Sequence, residues 1–140
     1  RLVDIADLRL MPFSQASERI AEVLRSASSW ERYWGVIVCS CFRDEARSLA
    51  ETTRQLLSDP ENMVRIRAAE FLAIITAGDP RPTVYDVLST TESAAEALLA
   101  LNTAVFVNDH LHGYPIDTQA FNLRLDDPEL GRRMDYLNSL

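Results

Sequence analysis

Hydrophobic residues recur along most of this chain every three or four positions, which is the spacing of one face of an α-helix. The clearest example lies between Asp59 and Pro80. Asp59 and Pro60 predict the start of this helix, because a proline at the first helical position loses no hydrogen bond. Gly78 and Pro80 predict its end. Its buried face is expected to consist of Val64, Ala68, Phe71, Leu72 and Ile75.

Comparable patterns predict two helices in the first part of the chain. The first begins at Ser14 and has apolar residues along one side. The second follows the pair Ser28 and Glu31, which has the S-x-x-E spacing of a capping box. It is expected to run from Trp30 to about Phe42.

The same reasoning predicts four more helices. Asp44 is expected to cap a third helix, and Thr90 or Thr91 to cap a long helix over 93–107. A brief helix is expected between the segment 59–80 and these threonines. Asp126–Asp127–Pro128 predicts the start of a last helix.

Two kinds of helix alternate along the chain. The helices over 30–42, 64–75 and 93–107 are apolar almost all round, which is typical of a buried layer, whereas those between them have a polar face. Arg32 and Arg65, near the starts of two buried helices, lie 33 residues apart. We therefore predict an all-α fold built from about three helical hairpins. The expected organisation is a single domain with a lead-in at 1–13, repeats at 14–108 and a capping tail at 109–140.

Composition and charge narrow the possible partners. The chain has 47% hydrophobic and 25% charged residues, as in ordinary globular proteins. Its net charge is −7, so we expect no nucleic-acid partner, because a phosphate backbone requires a basic surface. No apolar run reaches the roughly 18 residues of a membrane span, so we expect no membrane contact. The chain begins at Arg1 rather than Met, and we expect it to be a piece of a longer protein.

Part of the sequence resembles known helical repeats. The segment VRIRAAEFLAI, with Asp59–Pro60 before it and Gly78–Asp79–Pro80 after it, is similar to the hairpin of HEAT repeats. Three ordered segments, RYWGV, SDPENMVRIRAAEFLA and ESAAEALLALNTAVFVND, also resemble the helical extension that follows the catalytic domain in some bacterial arylsulfatase-type sulfatases.

This resemblance implies that the chain is the non-catalytic C-terminal extension of a sulfatase-like hydrolase acting on sulfate esters. Such enzymes use a formylglycine, made within a C/S-x-P-x-R motif, and a calcium ion held by Asp and Asn. Both would lie upstream of Arg1, so no cofactor is expected here. The segment from Cys39 to Arg43 echoes the motif but has Cys41 where the motif has proline. Sulfatases of this type are commonly exported, which implies a periplasmic or extracellular location.

Two further patterns have catalytic or metal-binding interpretations. Cys41 and Arg47 have the C-x5-R spacing of phosphatase loops, but the residues between them include two acids and no glycine. His110 and His112 would share one side of an extended segment, yet a third close ligand is absent from the pattern. We therefore assign no catalytic residue and no metal site.

Three residues are candidates for binding a partner: Trp30, Arg65 and Arg67. Trp30 is expected to be exposed, whereas Trp34 is expected to pack in the core. Arg65 and Arg67 are expected to form an ion-pair row with Glu70 and with acids of the adjacent hairpin. The alternative is a ridge that binds sulfate or carboxylate on the concave surface.

Three functional hypotheses follow. The first is a module that packs on its own upstream catalytic domain or contributes to substrate or subunit recognition. The second is a stand-alone HEAT-like scaffold that binds a protein or peptide on its concave face. The third is a self-contained enzyme that uses the region of His110 and His112.

Overall fold

A computed structural model describes all residues from Arg1 to Leu140 and contains helices but no strand, so the predicted all-α class is confirmed. Three short 3₁₀ helices, Asp7–Leu10, Arg43–Leu49 and Leu56–Ser58, join or extend the α-helices. The eight α-helices are α1 Leu2–Ala6, α2 Phe13–Leu24, α3 Ser29–Phe42, α4 Ala50–Gln55, α5 Asn62–Ile74, α6 Arg81–Thr90, α7 Ala94–His110 and α8 Pro128–Asn138.

The helices pack around a central row formed by α3, α5 and α7. Helix α3 contacts α5, α5 contacts α7, and α7 contacts α8. Each of the helices α2, α4 and α6 packs on the central helix that follows it in the chain, and α1 packs on α3. The central helices are the ones whose sequences are apolar almost all round, because they have neighbours on several sides.

Helix α5 lies between two hydrophobic clusters. Val64, Ala68 and Phe71 face the first cluster, which includes residues of α2 and α3. Ile66 faces the second, which includes residues of α6, α7 and α8. All five apolar positions predicted for the face of this helix are buried, with exposures between 0 and 2%. The face of α5 is therefore confirmed, although its ends differ from the prediction.

The predicted start of α5 is wrong by a few residues. Asp59 is buried and forms an ion pair with Arg32, so its backbone is extended rather than helical. The Asp59 carboxylate accepts a hydrogen bond from the N–H of Glu61, and Glu61 is the N-cap residue. The helix consequently begins at Asn62, and Pro60 lies in the preceding turn.

The predicted end of α5 is also wrong. Thr76, with φ of 55°, reverses the chain before Gly78 is reached. The N–H of Ala77 donates to the carbonyl of Leu72 and the N–H of Thr76 donates to that of Ala73. These two bonds define a Schellman motif, in which the left-handed position is usually glycine. Here a threonine occupies it.

The third helix is less regular than predicted. Asp44 does not cap an α-helix; its carboxylate accepts hydrogen bonds from Arg47 within the 3₁₀ helix Arg43–Leu49. Buried Ala46 and Leu49 are three residues apart, a spacing that suits a 3₁₀ helix. Only Ala50–Gln55 is α-helical in this region.

The two capping boxes have the same construction. Ser28 accepts a hydrogen bond from the N–H of Glu31, as predicted for the start of α3. At the start of α7 the cap is Ser93, which accepts from the N–H of Glu96, so the prediction of Thr90 or Thr91 as the cap is wrong. Thr91 instead accepts from the N–H of Ser93 and donates to the Glu96 carboxylate.

The segment 111–127 has no helix or strand, contains a turn at 118–119 and contacts α6. The hydroxyl of Tyr85 accepts from the N–H of Asp117, and the hydroxyl of Ser89 accepts from the N–H of Asn122. The rings of Tyr85 and Phe121 stack with centroids 5.4 Å apart. As predicted, Asp127 caps the last helix, which buries Leu130 and Leu137 in the second cluster.

Candidate functional site

A continuous row of polar and aromatic side chains crosses α3, α5 and α7. It begins with Trp30, whose ring packs edge-to-face on Tyr33 with centroids 5.9 Å apart. Arg67 donates hydrogen bonds of 3.1 and 3.3 Å to the Tyr33 hydroxyl, and its guanidinium carbon lies 5.3 Å from the centre of the Tyr33 ring. Glu70 accepts hydrogen bonds from Arg67 at 3.3 Å and from Thr103 at 2.9 Å. We call these five residues the inner-helix row.

A cleft opens at the end of the inner-helix row, between the first turns of α3 and α5. Four of its lining side chains are hydrophobic, one is a serine and one is acidic: Ser29, Trp30, Tyr33, Glu61, Met63 and Val64. Its volume, including the open mouth, is about 250 Å³. Trp30 remains 56% exposed, so its predicted exposure is confirmed. We call this feature the Trp30 cleft.

Trp34 differs from Trp30 because it is half-buried against the first hydrophobic cluster. Its ring contacts Tyr33 edge-to-face at 6.1 Å. Because Trp30 and Trp34 are four residues apart at the start of α3, one of them, Trp30, remains in solvent, and Trp34 reaches the core.

Arg65 lies on a different side of α5 from Arg67. It donates to the carbonyl of Leu57, to the side chain of Asn62 and to the carboxylate of Asp86 on α6, the last at 2.9 Å. Arg65 thus reaches an acid of the adjacent hairpin, as the sequence predicts, while Arg67 pairs with Glu70 on its own helix. The two arginines do not meet in a single anion-binding ridge.

The two cysteines have contrasting environments. Cys39 is fully buried, and this burial raises the pKa of its thiol to about 12, so the thiolate is strongly disfavoured. Cys41 is exposed, so the prediction that it belongs to the buried layer is wrong. Ile37 and Cys41 lie on the same side of α3, and this side is partly accessible to solvent. Neither thiol has the surroundings of an activated nucleophile.

The region of His110 and His112 contains no cluster of three or more metal-ligating side chains. His110 is the last residue of α7 and its ring lies 5.5 Å from that of Phe106. Asp109 accepts a hydrogen bond from the hydroxyl of Tyr136. None of the helices is long and apolar enough to serve as a membrane span.

Comparison of the chain with protein-family models, with curated proteins and with solved structures found no match.

Sequence reasoning found Trp30 and the pair Arg67 and Glu70, but it missed the roles of Tyr33 and Thr103 in the same row. The signal was present in their spacing. Tyr33 and Arg67 are 34 residues apart, and Glu70 and Thr103 are 33 apart, the interval already noticed between Arg32 and Arg65. In both pairs the two residues lie on neighbouring central helices and are joined by a hydrogen bond.

Proposed function

We propose that the chain is a non-catalytic module of HEAT-like helical hairpins that contacts another polypeptide through the Trp30 cleft and the inner-helix row. The repeat assignment is supported by the spacing of contacts. Three residue pairs whose hydrogen bonds join successive central helices, Tyr33–Arg67, Asn62–Glu96 and Glu70–Thr103, are separated by 33 or 34 residues. Such a constant interval is typical of stacked repeats, in which each unit contacts only its neighbours.

The observation that carries the proposal is the exposure of Trp30 beside a concave apolar surface. Tryptophan is highly buried on average, and it is enriched among the residues that contribute most to protein–protein binding. Met63 and Val64 supply adjacent apolar surface in the cleft, and Tyr33 supplies both a ring and a hydroxyl. This mixture suits a polypeptide better than a small anion.

The identity of the partner has two versions. In the first, the module is the C-terminal extension of a sulfatase-like hydrolase and packs on the catalytic domain of the same polypeptide. In the second, the module is a stand-alone scaffold and the partner is a separate protein. The resemblance of the ordered segments around Trp30, Val64 and Ala97 favours the first version, which requires a C/S-x-P-x-R motif and calcium-binding acids upstream of Arg1.

Photo-crosslinking distinguishes these versions in the natural full-length protein. A benzophenone amino acid is placed at Trp30 and, as a control, at Gln15, which is exposed on α2. We expect crosslinks from position 30 only. A crosslink to an upstream domain of the same polypeptide supports the sulfatase version, and one to a separate protein supports the scaffold. Equal crosslinking from both positions, or none from position 30, contradicts the proposal.

A direct activity measurement tests the non-catalytic assignment. The purified chain is expected to show no hydrolysis of an aryl sulfate above the buffer rate. Turnover that His112→Ala abolishes would contradict the proposal and favour an enzyme that uses the histidine region.

A further inference from the structure

The Trp30 cleft combines an exposed aromatic ring with an unpaired acid. Glu61 is exposed at the lip of the cleft and has no arginine within ion-pair distance. Trp30 and Glu61 line the same cleft, and each can attract a cation: the carboxylate by its charge, and the indole because its ring face carries negative charge in its quadrupole.

Two arginines close to Glu61 in the structure, Arg32 and Arg65, are already engaged. Arg32 donates to both carboxylate oxygens of Asp59 and to the carbonyls of Ser26 and Ala27. Arg65 is held by Leu57, Asn62 and Asp86, as described above. Arg32 is close enough for the charge of Glu61 to contribute to raising its pKa, but neither guanidinium forms an ion pair with Glu61, so this carboxylate can accept a cation from another molecule.

Two further carboxylates lie in the region where α7 begins. Glu92 and Glu96, at the start of the next central helix, form no ion pair with arginine, and Glu96 is held only by neutral donors from Asn62 and Thr91. The first turns of α3 and α5 present partial positive charges of about one half each. The full charge of Glu61 beside them, within a chain of net charge −7, outweighs these partial charges.

We propose that the Trp30 cleft binds an arginine or lysine side chain of a basic polypeptide segment, with the cation between the Trp30 ring and the Glu61 carboxylate. The aliphatic stem of such a side chain matches the apolar wall formed by Met63 and Val64. This inference rests on the proposed function, and it names the chemistry of the partner.

An NMR titration with small probes tests the charge requirement. The probes are N-acetyl-arginine amide, the neutral analogue N-acetyl-citrulline amide and the anionic N-acetyl-aspartate amide. The readout is the indole N–H signal of Trp30, which Trp34→Phe assigns because the chain has two tryptophans. We expect a saturable shift with the arginine probe and at least about fivefold weaker binding of citrulline. Added salt should weaken only the arginine complex.

Two variants provide matched controls. Glu61→Gln should remove the preference for arginine over citrulline and should fold normally, because the Glu61 side chain makes no capping bond. Glu45→Gln, which removes an exposed acid in a different part of the chain, should leave arginine binding unchanged.

Other outcomes would overturn the inference. Equal binding of arginine and citrulline would show a cleft that binds polypeptide without selecting charge, so the proposed function would stand and this inference would fall. Preferential binding of the aspartate probe, or no binding of any probe, would also refute it, and the crosslinking experiment would still test the proposed function separately.

Discussion

Arg32 and Asp59 form an ion pair that joins the start of α3 to the turn before α5. Two guanidinium nitrogens of Arg32 lie 2.7 and 3.1 Å from the two carboxylate oxygens of Asp59. The side chains are only 13% and 3% exposed, so the pair is largely shielded from water. This contact fixes the turn that precedes α5 and thereby displaces the start of that helix to Asn62.

Removing this pair on one side should therefore be costly. Arg32→Leu leaves the buried Asp59 carboxylate without its cationic partner, so that only the N–H of Glu61 donates to it, and we expect a loss of about 3–5 kcal/mol in the free energy of unfolding. Arg65→Leu, which removes an ion pair between α5 and α6, should cost about 1 kcal/mol, because its partner Asp86 is 52% exposed. Urea denaturation followed by circular dichroism gives both values. Equal losses would contradict the structural difference between the two pairs.

Substitution of glycine by alanine is expected to have opposite effects on stability at two helical positions, Gly35 and Gly131. A Cβ at Gly35 would lie 2.8 Å from Cγ1 of Val23, a stiff buried side chain, so Gly35→Ala should destabilise the protein by about 1–3 kcal/mol. A Cβ at Gly131 has open space around it, so Gly131→Ala should stabilise by about 0.5–1 kcal/mol through helix propensity. A change of the same sign in the two melting temperatures would refute this account of the α2–α3 contact.

The close approach of neighbouring helices at Ala68 leads to a third prediction. Ala68 is fully buried in the central helix α5, so Ala68→Leu should overpack the core and cost about 1–3 kcal/mol. Ala94→Leu, at an exposed position in the first turn of α7, should change stability by less than about 0.5 kcal/mol. A denaturation midpoint that Ala68→Leu leaves unchanged would place Ala68 on the surface and disprove the register.

Glu31 should make stability depend on acid pH. Hydrogen bonds from Arg1 and Ser26 lower the pKa of Glu31 from 4.5 to about 2. The folded state therefore favours the ionised carboxylate, and this contribution is present above about pH 4.5 and is lost as the pH falls towards 2. Glu31→Gln should be less stable than the unmodified chain at pH 6, and the difference should shrink by pH 2. If Glu31→Gln lowers stability equally at pH 6 and at pH 2, or has the same pH-independent effect as Glu45→Gln, the result would argue against the Arg1–Glu31 pair.

Thiol labelling tests the different environments of the cysteines. In the folded protein an aromatic disulfide reagent should modify one thiol rapidly, that of Cys41, because Cys39 is buried and its pKa is raised to about 12. Both thiols should react in denaturant, and Cys41→Ser should abolish the rapid phase. Rapid modification of two thiols without denaturant would show that the core around Cys39 is open.

The sequence predicted the central helices well because burial decides them. The apolar positions of α5 and the capping box at Ser28 depend on local spacing, which can be read from one sequence. The 3₁₀ helix Arg43–Leu49 and the end of α5 at Thr76 could not be predicted in this way. Both depend on how distant segments fit together: a guanidinium of Arg47, for example, donates to the carbonyl of Ile75.

The candidate site was only partly predictable for a related reason. Trp30 stands out because an aromatic residue beside a helix cap has little room in the core. The role of Glu61 was not anticipated, since its significance lies in the absence of an internal cation, and that requires knowing where Arg32 and Arg65 point. The inner-helix row could not be predicted because it depends on the contact between Tyr33 and Arg67, which are distant in the sequence.

The proposed function depends on the contacts that α5 makes with α3 on one side and with α7 on the other, and inter-residue NMR distances measure these contacts directly. Nuclear Overhauser effects are expected between the Tyr33 ring and the Arg67 side chain, and between the Thr103 methyl group and the Glu70 side chain. Both pairs observed together would establish the order α3–α5–α7. Their absence, or contacts that join α3 directly to α7, would contradict it.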